Sequence, residues 1–522
     1  MKKRIEKGSE ISLFVLENEY PGIKRIAKKV SEDISLVLDA RTNIGETDQN
    51  DAAALLKGEK SLNETDGGLS VFAFCIDSIN GGTGIAEADK RIEDIRGKRE
   101  VYSFFLYDVN STGNPVLVII GSDKRGTIYG LLHISELLGV SSWIWFADAL
   151  PEKLESLTLS DADDVTSKEP SVKYRGFFIN DEWPSFGNWT MEHFGGFTAE
   201  MYEHVFELIL RLKGNYLWPA MWTSNFSLDG PGLKNAELAD EMGIVMSNSH
   251  HEPCLRHSEE WDFVKGEDSI YGKDWNFDRN REGLINYWRD GLKRNGKFEN
   301  VITIGMRGER DSEILGREAG LKENIDYLKE VITTQKDLIK EVLKDRADSV
   351  PTMLAVYKEV EAYYQGSDTV EGLKYWPELD GVTLMLCEDN QGNMRTLPEG
   401  SEIGRKGGFG MYYHFDYHGD PVSYEWINST HLPKVWEQMS EAYEKGIRDI
   451  WIVNVGDLKP QELPLSYFMD LAYDYDRWGE KNPDSPMLYL KKWIKDTFGQ
   501  NLPEDMRDAI FYLLDGYTYL NS

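Results

Sequence analysis

Short apolar runs recur along the chain from residue 173 onward, and each gives way to polar or charged residues. In VITIGMRGERD, residues 301–311, six residues suit a buried strand and the last five carry two arginines, a glutamate and an aspartate. Helical patterns separate most of the eight runs, which are 173–181, 214–222, 243–251, 301–309, 352–361, 381–390, 408–419 and 449–459. This alternation predicts an α/β fold with a closed (β/α)8 TIM barrel. An open doubly wound sheet is the alternative.

The helical patterns are amphipathic where they are clearest. AEMYEHVFELILRLKG places five apolar side chains on one face and has Gly214 just past its end: Met201, Val205, Leu208, Ile209 and Leu212. That spacing and the glycine predict a helix that packs on a sheet and stops at the glycine.

Residues 1–168 have strand and helix patterns of their own, including ISLFVLENEY, a helix opened by Pro21, and VFAFCI. We expect an N-terminal α/β domain here, joined by the polar segment 161–171 to the catalytic barrel at 169–480. PMLYLKKWIKDTFG and PEDMRDAIFYLLDGYTYL predict helices, so 481–522 is interpreted as the beginning of a C-terminal helical domain. The loop GSDKRG lacks the glycine spacing and the GK[ST] ending of phosphate-binding loops, so we do not expect it to bind phosphate.

The net charge of the chain limits which classes of macromolecule it can bind. A net charge of −32 and a pI near 4.7 argue against nucleic acid and anionic membranes as partners. The three cysteines form no CxxC pair and suit a reducing compartment. The start of the chain lacks the apolar run of a signal peptide, and no window suits a membrane span, so we expect a cytoplasmic protein.

Carboxylates dominate the polar residues that follow the eight runs. In a barrel these residues meet at the carboxyl ends of the strands, where active sites lie. Two carboxylates facing each other in an aromatic-lined pocket are what glycoside hydrolysis requires, since one protonates the leaving oxygen while the other activates water or attacks directly. For any single carboxylate, a solvated loop position or a helix N-cap is the alternative.

The segment HHEPCLRH, residues 250–257, offers a second kind of chemistry. Histidine and cysteine at this spacing can bind zinc, and a metal-dependent hydrolase is one hypothesis. However, no HExxH motif is present, and the histidines also suit a carboxylate or a hydroxyl.

Several long motifs resemble glycoside hydrolase family 115, the xylan α-1,2-glucuronidases. They are YRGFFINDEWPSFGNW, EHFGGFTAEMYEHVFELILRLKGNYLWPAMW, GIVMSNSHHEP, VITIGMRG, YKEVEAYY, LCEDNQGNMR, GGFGMYYHFDY and IWIVNVGDLKPQELP. The resemblance covers nearly the whole chain. It implies inverting hydrolysis that removes glucuronic acid, or its 4-O-methyl ether, from glucuronoxylan, without a cofactor or a metal.

The resemblance also implies site residues. Asp311 and Glu359 are the leading catalytic carboxylates, and Glu192 is a third candidate. The resemblance places five further residues around the sugar: Asp181, His250, Arg307, Asn390 and His414. The predicted substrate-binding set also includes two residues at the ends of their strands, Trp218 and Asn454.

Roles follow from side-chain chemistry within that set. The Arg307 guanidinium suits the uronate, because its fork can bind a carboxylate at two points. We expect Glu359 as general acid and Asp311 as general base, although the roles can be exchanged. An inverting enzyme needs its carboxyl groups roughly 6.5–9.5 Å apart, and a retaining one about 5–5.5 Å.

Two departures from the family pattern qualify these expectations. Members usually have tryptophan where this chain has Gln391, and they continue through a longer helical region and a further domain. A truncated, carbohydrate-binding remnant with weak or no activity is therefore the alternative function. The resemblance also leans toward a homodimer.

Overall fold

The computed structural model describes residues 1–60, 68–109, 114–180, 183–257, 259–316, 318–415, 428–499 and 501–522. Its strands form two large sheets, one with six strands and one with eight, together with two small two-stranded sheets. Asp181, one of the predicted substrate-binding residues, lies outside the described residues.

The six-stranded sheet is built from the first part of the chain and has the order β3-β2-β4-β6-β5-β8. The strands are β1 (Lys2–Glu6), β2 (Glu10–Leu16), β3 (Arg41–Thr47), β4 (Leu69–Cys75), β5 (Tyr102–Tyr107), β6 (Val116–Gly121), β7 (Ser156–Ser160) and β8 (Val165–Thr166), and β1 pairs with β7 in a sheet of its own. The helices are α1 (Pro21–Leu38), α2 (Gln49–Leu56), α3 (Ala86–Ile95) and α4 (Lys124–Leu137). As the sequence predicts, α1 begins at Pro21.

Helices cover both faces of this sheet. Apolar residues of α1 and α4 share one buried cluster with the sheet, and those of α2 and α3 share another. Because β4 and β6 lie between these layers, every residue in both strands is buried. This explains why the two strands have continuous apolar runs and no alternation.

The eight-stranded sheet is parallel and contains one strand from each of the eight predicted runs. Its strands are β9 (Tyr174–Phe178), β10 (Tyr216–Trp218), β11 (Val245–Met246), β12 (Ile302–Thr303), β13 (Thr352–Val356), β16 (Thr383–Cys387), β17 (Phe409–His414) and β18 (Ile450–Asn454). A small antiparallel hairpin, β14 (Gly366–Ser367) and β15 (Val370–Glu371), lies between β13 and β16 in the chain.

Hydrogen bonds between β11 and the approach to β12 join the two ends of the strand order. The Met246 N–H donates to the Glu299 carbonyl at 3.3 Å, and the Val301 N–H donates to the Met246 carbonyl at 3.0 Å. The sheet is therefore a TIM-barrel-like ring, as the alternating pattern predicts, and not the open doubly wound sheet. Large side chains such as Tyr216 and Tyr412 fill its interior.

Helices follow the barrel strands along the chain. They are α5 (Ser185–Phe194), α6 (Ala199–Arg211), α7 (Lys234–Met242), α8 (Glu260–Val264), α9 (Arg281–Asn295), α10 (Leu321–Leu343), α11 (Glu359–Gln365), α12 (Leu432–Glu444), α13 (Glu462–Tyr473), α14 (Tyr475–Trp478), α15 (Ser485–Phe498) and α16 (Glu504–Asn521). The predicted apolar face of α6 is buried. Among the described residues, no helix is both long and apolar enough to cross a membrane.

A buried ionic cluster joins the six-stranded sheet to the end of the barrel opposite the strand carboxyl ends. Arg175 at the start of β9 donates to Glu100 at 2.5 Å, and both side chains are fully buried. Arg125 of α4 donates to Glu100 at 2.7 Å and also pairs with Glu299. Burial acts to raise the pKa of Glu100, but Arg175 and Arg125 outweigh it and lower that pKa. The cluster therefore fixes the sheet to the barrel through charges that depend on one another.

Candidate active site

Arg307 lies at the centre of the polar residues that follow β11, β12 and β13. Its Nε and Nη2 donate to the two carboxylate oxygens of Glu359, at 2.9 and 2.6 Å. Its Nη1 donates to the Asp311 backbone carbonyl at 2.6 Å and contacts Asp311 Oδ1 as well. One guanidinium thus holds both leading catalytic candidates, and only 4% of its side chain is exposed.

Asp311 accepts hydrogen bonds from two further side chains. Lys358 Nζ donates to Oδ2 at 2.6 Å, and His250 Nε2 lies 2.8 Å from Oδ1. Arg310 and Asp311 both have left-handed backbone angles, with φ of 52° and 63°, which are uncommon for residues other than glycine. This local turn places the carboxylate among three nitrogen donors.

His250 is neutral near neutral pH. Burial holds the pKa of His250 well below its usual range, and the charges of Arg307 and Lys358 lower it further. A neutral imidazole that contacts a carboxylate through Nε2 must carry its proton there, so Nε2–H donates to Asp311. The buried Nδ1 is then an acceptor, and it has no hydrogen-bond partner among the described residues.

Glu359 is the first residue of α11, directly after a strained residue. Lys358 has φ of 53° and ψ of −130°, far from the helical region that begins with Glu359. This turn lets two consecutive side chains, Lys358 and Glu359, contact different partners in the same site. About a sixth of each catalytic candidate stays accessible, 16% of Glu359 and 17% of Asp311.

A second polar group follows β16, β17 and β18. His414 Nδ1 contacts Glu388, Tyr357 OH donates to Asn390 at 2.9 Å, and Asn454 donates to Tyr412 OH at 3.1 Å.

Aromatic rings connect the two groups. The centroids of His250 and Tyr357 are 5.0 Å apart, and those of Tyr412 and His414 are 4.4 Å apart. The structure therefore brings His250, Asn390, His414 and Asn454 into one continuous region with Arg307 and the two carboxylates.

Two of the candidates lie elsewhere. Trp218 is fully buried in the barrel core, where its ring packs against Phe178 and Tyr412 and its Nε1 donates to Tyr216 OH at 2.9 Å. The expectation that it contacts substrate is corrected: its side chain points to the barrel interior and is closed to a ligand. Glu192 is exposed on α5, and none of the described contacts brings it to Asp311 or Glu359.

A cleft of about 400 Å³ lies beside the second polar group. Its lining includes Asn390, Gln391, His414 and Lys434, but neither Asp311 nor Glu359. The positioned hydrogen-bond donors and acceptors that acid–base catalysis needs surround Asp311 and Glu359, outside the lining of this cleft.

Cys254 and His257 of HHEPCLRH are poorly suited to bind zinc. Cys254 is buried, and burial raises the pKa of its thiol. His257 uses both ring nitrogens in hydrogen bonds to Asn248 and Ser227. Within the described parts of the chain, His250, His251 and Asp311 lie close enough together for a cation, but Arg307 and Lys358 oppose a further positive charge there.

Sequence reasoning missed Lys358 and Tyr357 as site residues. The signal was present in AVYKEVE, because both residues stand between the buried part of β13 and Glu359.

Comparison with known proteins gives a consistent result. Residues 167–522 match the profile of glycosyl hydrolase family 115, while no curated protein sequence matches the chain. The fold is similar to the solved structure of BtGH115A, a 4-O-methyl-α-glucuronidase described as having specificity for decorated arabinogalactans. The TM-score is 0.81 with 29% sequence identity, over 99% of this chain and 62% of that protein. The chain thus spans less than two thirds of that relative. The structure of CpGH84D is similar in fold only, with a TM-score of 0.52 and 10% identity over 95% of this chain and 70% of the other.

Proposed function

Because the chain belongs to glycosyl hydrolase family 115, we propose that it is a glycosidase that removes glucuronic acid or its 4-O-methyl ether from a decorated polysaccharide. The observation that carries the proposal is the pair Asp311 and Glu359, held by Arg307 at the carboxyl end of the barrel strands. A pair of carboxylates at one site is the residue set that acid–base glycoside hydrolysis uses.

The finer proposal is inverting hydrolysis of α-1,2-linked uronic acid on glucuronoxylan. In its protonated form, with one of its two hydrogen bonds from Arg307 given up, Glu359 gives a proton to the xylose oxygen as the glycosidic bond breaks. Asp311 takes a proton from the water that attacks the opposite face of the sugar, and the product is the β-anomer. Asp311 suits the role of base, because Arg307, Lys358 and His250 hold its carboxylate in a fixed position, as a general base requires.

Other residues of the region suit the bound sugar. The buried Nδ1 of His250 is an acceptor for a ring hydroxyl, and Asn390 and His414 supply polar groups on the other side of Tyr357. We keep Asp181 as a proposed contact on the strength of the sequence alone.

Two polysaccharides are candidates for the substrate. BtGH115A is described as specific for decorated arabinogalactans, and its fold is similar to that of this chain. Decorated arabinogalactan is therefore the second candidate substrate beside glucuronoxylan.

The deciding experiment is proton NMR of the purified chain with glucuronic-acid-decorated xylo-oligosaccharides and, separately, with decorated arabinogalactan. Initial release of β-glucuronate supports the inverting proposal, and initial release of the α-anomer contradicts it while leaving the activity intact. Asp311→Asn and Glu359→Gln should each lower the rate by about 10²–10⁴, the usual contribution of a general acid or base. Glu192→Gln tests the third candidate, which its exposure disfavours.

No release from either substrate would contradict the proposed activity. If glucuronate then still raised the melting temperature, the alternative of a carbohydrate-binding protein without turnover would be supported, since a ligand stabilises the folded state that binds it.

A further inference from the structure

The hydrogen bonds of Arg307 leave little of its guanidinium for a substrate. Three of its nitrogens already donate to Glu359 and Asp311, and its side chain is only 4% exposed. A uronate that took the fork of Arg307 would have to displace a catalytic carboxylate. The buried arginine is therefore better suited to positioning the two carboxylates than to binding the substrate's charge.

Lys358 is the exposed cation of the same cluster. Its side chain is 37% exposed, its Nζ lies 2.6 Å from Asp311 Oδ2, and it stands 5.4 Å from the centre of the Tyr357 ring. We propose that Lys358, and not Arg307, binds the uronate carboxylate of the substrate and sets the preference for an acidic sugar. This inference rests on the proposed glucuronidase activity.

The side chain of lysine suits this task. An ammonium group is a compact charge on a flexible stem, so it can turn from Asp311 towards a ligand without breaking a planar, two-point pair. The strained backbone at Lys358 supports a functional reason for its placement, because left-handed residues other than glycine persist where the surrounding structure enforces them. His250 is neutral and adds no competing positive charge.

The neighbouring exposed cations are committed to other carboxylates. Lys265 contacts Asp262 and Glu309, at 2.5 and 2.6 Å, and Arg310 contacts Asp262. Lys265 is therefore a matched control: a partly exposed lysine close to the same loop, with no described contact to Asp311.

The experiment compares D-glucuronate with its neutral amide, D-glucuronamide, in calorimetric binding to the full chain. Wild type should prefer the acid. Lys358→Met should weaken binding of glucuronate by about 10- to 100-fold, the contribution of a charged hydrogen bond, and leave glucuronamide unchanged. Lys358→Arg should retain most of the preference, and Lys265→Met should retain all of it.

The ratio of the two affinities separates uronate binding from a purely structural effect. Loss of the Lys358 contact to Asp311 can lower the catalytic rate, but it would not remove discrimination between the acid and the amide. If Lys358→Met keeps that discrimination, or if only Arg307→Met abolishes it, the inference is wrong. Absence of both binding and turnover in wild type would instead overturn the proposed function, and the inference with it.

Discussion

His257 is a buried histidine whose hydrogen bonds require a neutral ring. Its Nδ1 lies 2.9 Å from the Asn248 amide nitrogen, and its Nε2 lies 3.1 Å from Ser227 Oγ. Burial lowers the pKa of His257 to about 4. A protonated ring could not accept the hydrogen bond from Asn248.

Stability should therefore fall on acidification through a defined window. An unfolded histidine has a pKa of about 6.5, so between pH 6.5 and 4 the unfolded chain binds a proton that the folded chain excludes. The free energy of unfolding should decrease across that window by up to about 3 kcal/mol from this residue, with no contribution above it.

Thermal melts of wild type and His257→Gln at pH 7, 5.5 and 4.5 test this prediction. Glutamine keeps a donor and an acceptor but cannot titrate. We expect the wild type to lose more stability than the variant on acidification, whereas parallel losses would show that His257 does not couple to pH.

At the level of single residues, the sequence indicated side-chain types better than their contacts. Arg307 was predicted in the site, but its pairing with Glu359 depends on the meeting of loops from β12 and β13. Trp218 was misplaced because a strand's last residue can face the barrel interior as readily as its mouth. Such outcomes depend on the local backbone direction, which composition does not reveal.

One helix supports the site from behind the sheet. Gln335, in the middle of α10, is fully buried; its amide donates to the Gly305 carbonyl at 2.9 Å and accepts from the Gly305 N–H at 2.7 Å. Gly305 has φ of 98°, a conformation that glycine adopts readily. Gln335 thereby fixes the backbone two residues before Arg307.

Replacing Gln335 with methionine should lower both stability and activity. Each unpaired backbone group that remains buried costs about 1–3 kcal/mol, and a displaced Gly305 would move Arg307 relative to the carboxylates. Urea unfolding and the rate of glucuronate release measure the two effects. The adjacent Lys336→Met removes a surface ion pair with Glu378 and a hydrogen bond to the Glu378 carbonyl, and it should change stability by about 1 kcal/mol or less. Equal effects from both variants would contradict the role of Gln335.

Long and strongly patterned elements were predictable, and short ones were not. α6 and the continuous apolar strands β4 and β6 can be predicted because burial requires apolar side chains at many of their positions. β8 and the β14–β15 hairpin contain two residues per strand, too few to establish a period. Their pairing depends on neighbours that are distant in the sequence.

The molecule as a whole is strongly negative, with a formal charge of −32, and the proposed polymeric substrate is a polyanion. Salt should therefore speed their association, because the screening length shortens from about 30 Å at 0.01 M to about 8 Å at 0.15 M. We expect kcat/KM on glucuronoxylan to rise by about 2- to 10-fold over that range. A short oligosaccharide with one uronate is the control and should respond less; a fall with salt would mean that local positive charge dominates the approach.

The barrel could be predicted from eight repeats of one pattern, since the repeat reflects the whole architecture. The ionic cluster beneath the barrel could not be predicted, because Glu100 and Arg175 are 75 residues apart and no sequence pattern pairs them. Long-range polar pairs of this kind follow from how two sheets are oriented.

That cluster also bears on protein engineering. A designer seeking a minimal catalyst would be tempted to discard the six-stranded sheet, because the proposed catalytic carboxylates lie at the far end of the barrel. Removing the sheet would remove Glu100, the ion-pair partner of Arg175. It would also expose to water a charged surface at the base of the barrel that is now buried. A workable miniature would need those positions redesigned together, for example with a well-packed apolar replacement for Arg175, before any deletion is attempted.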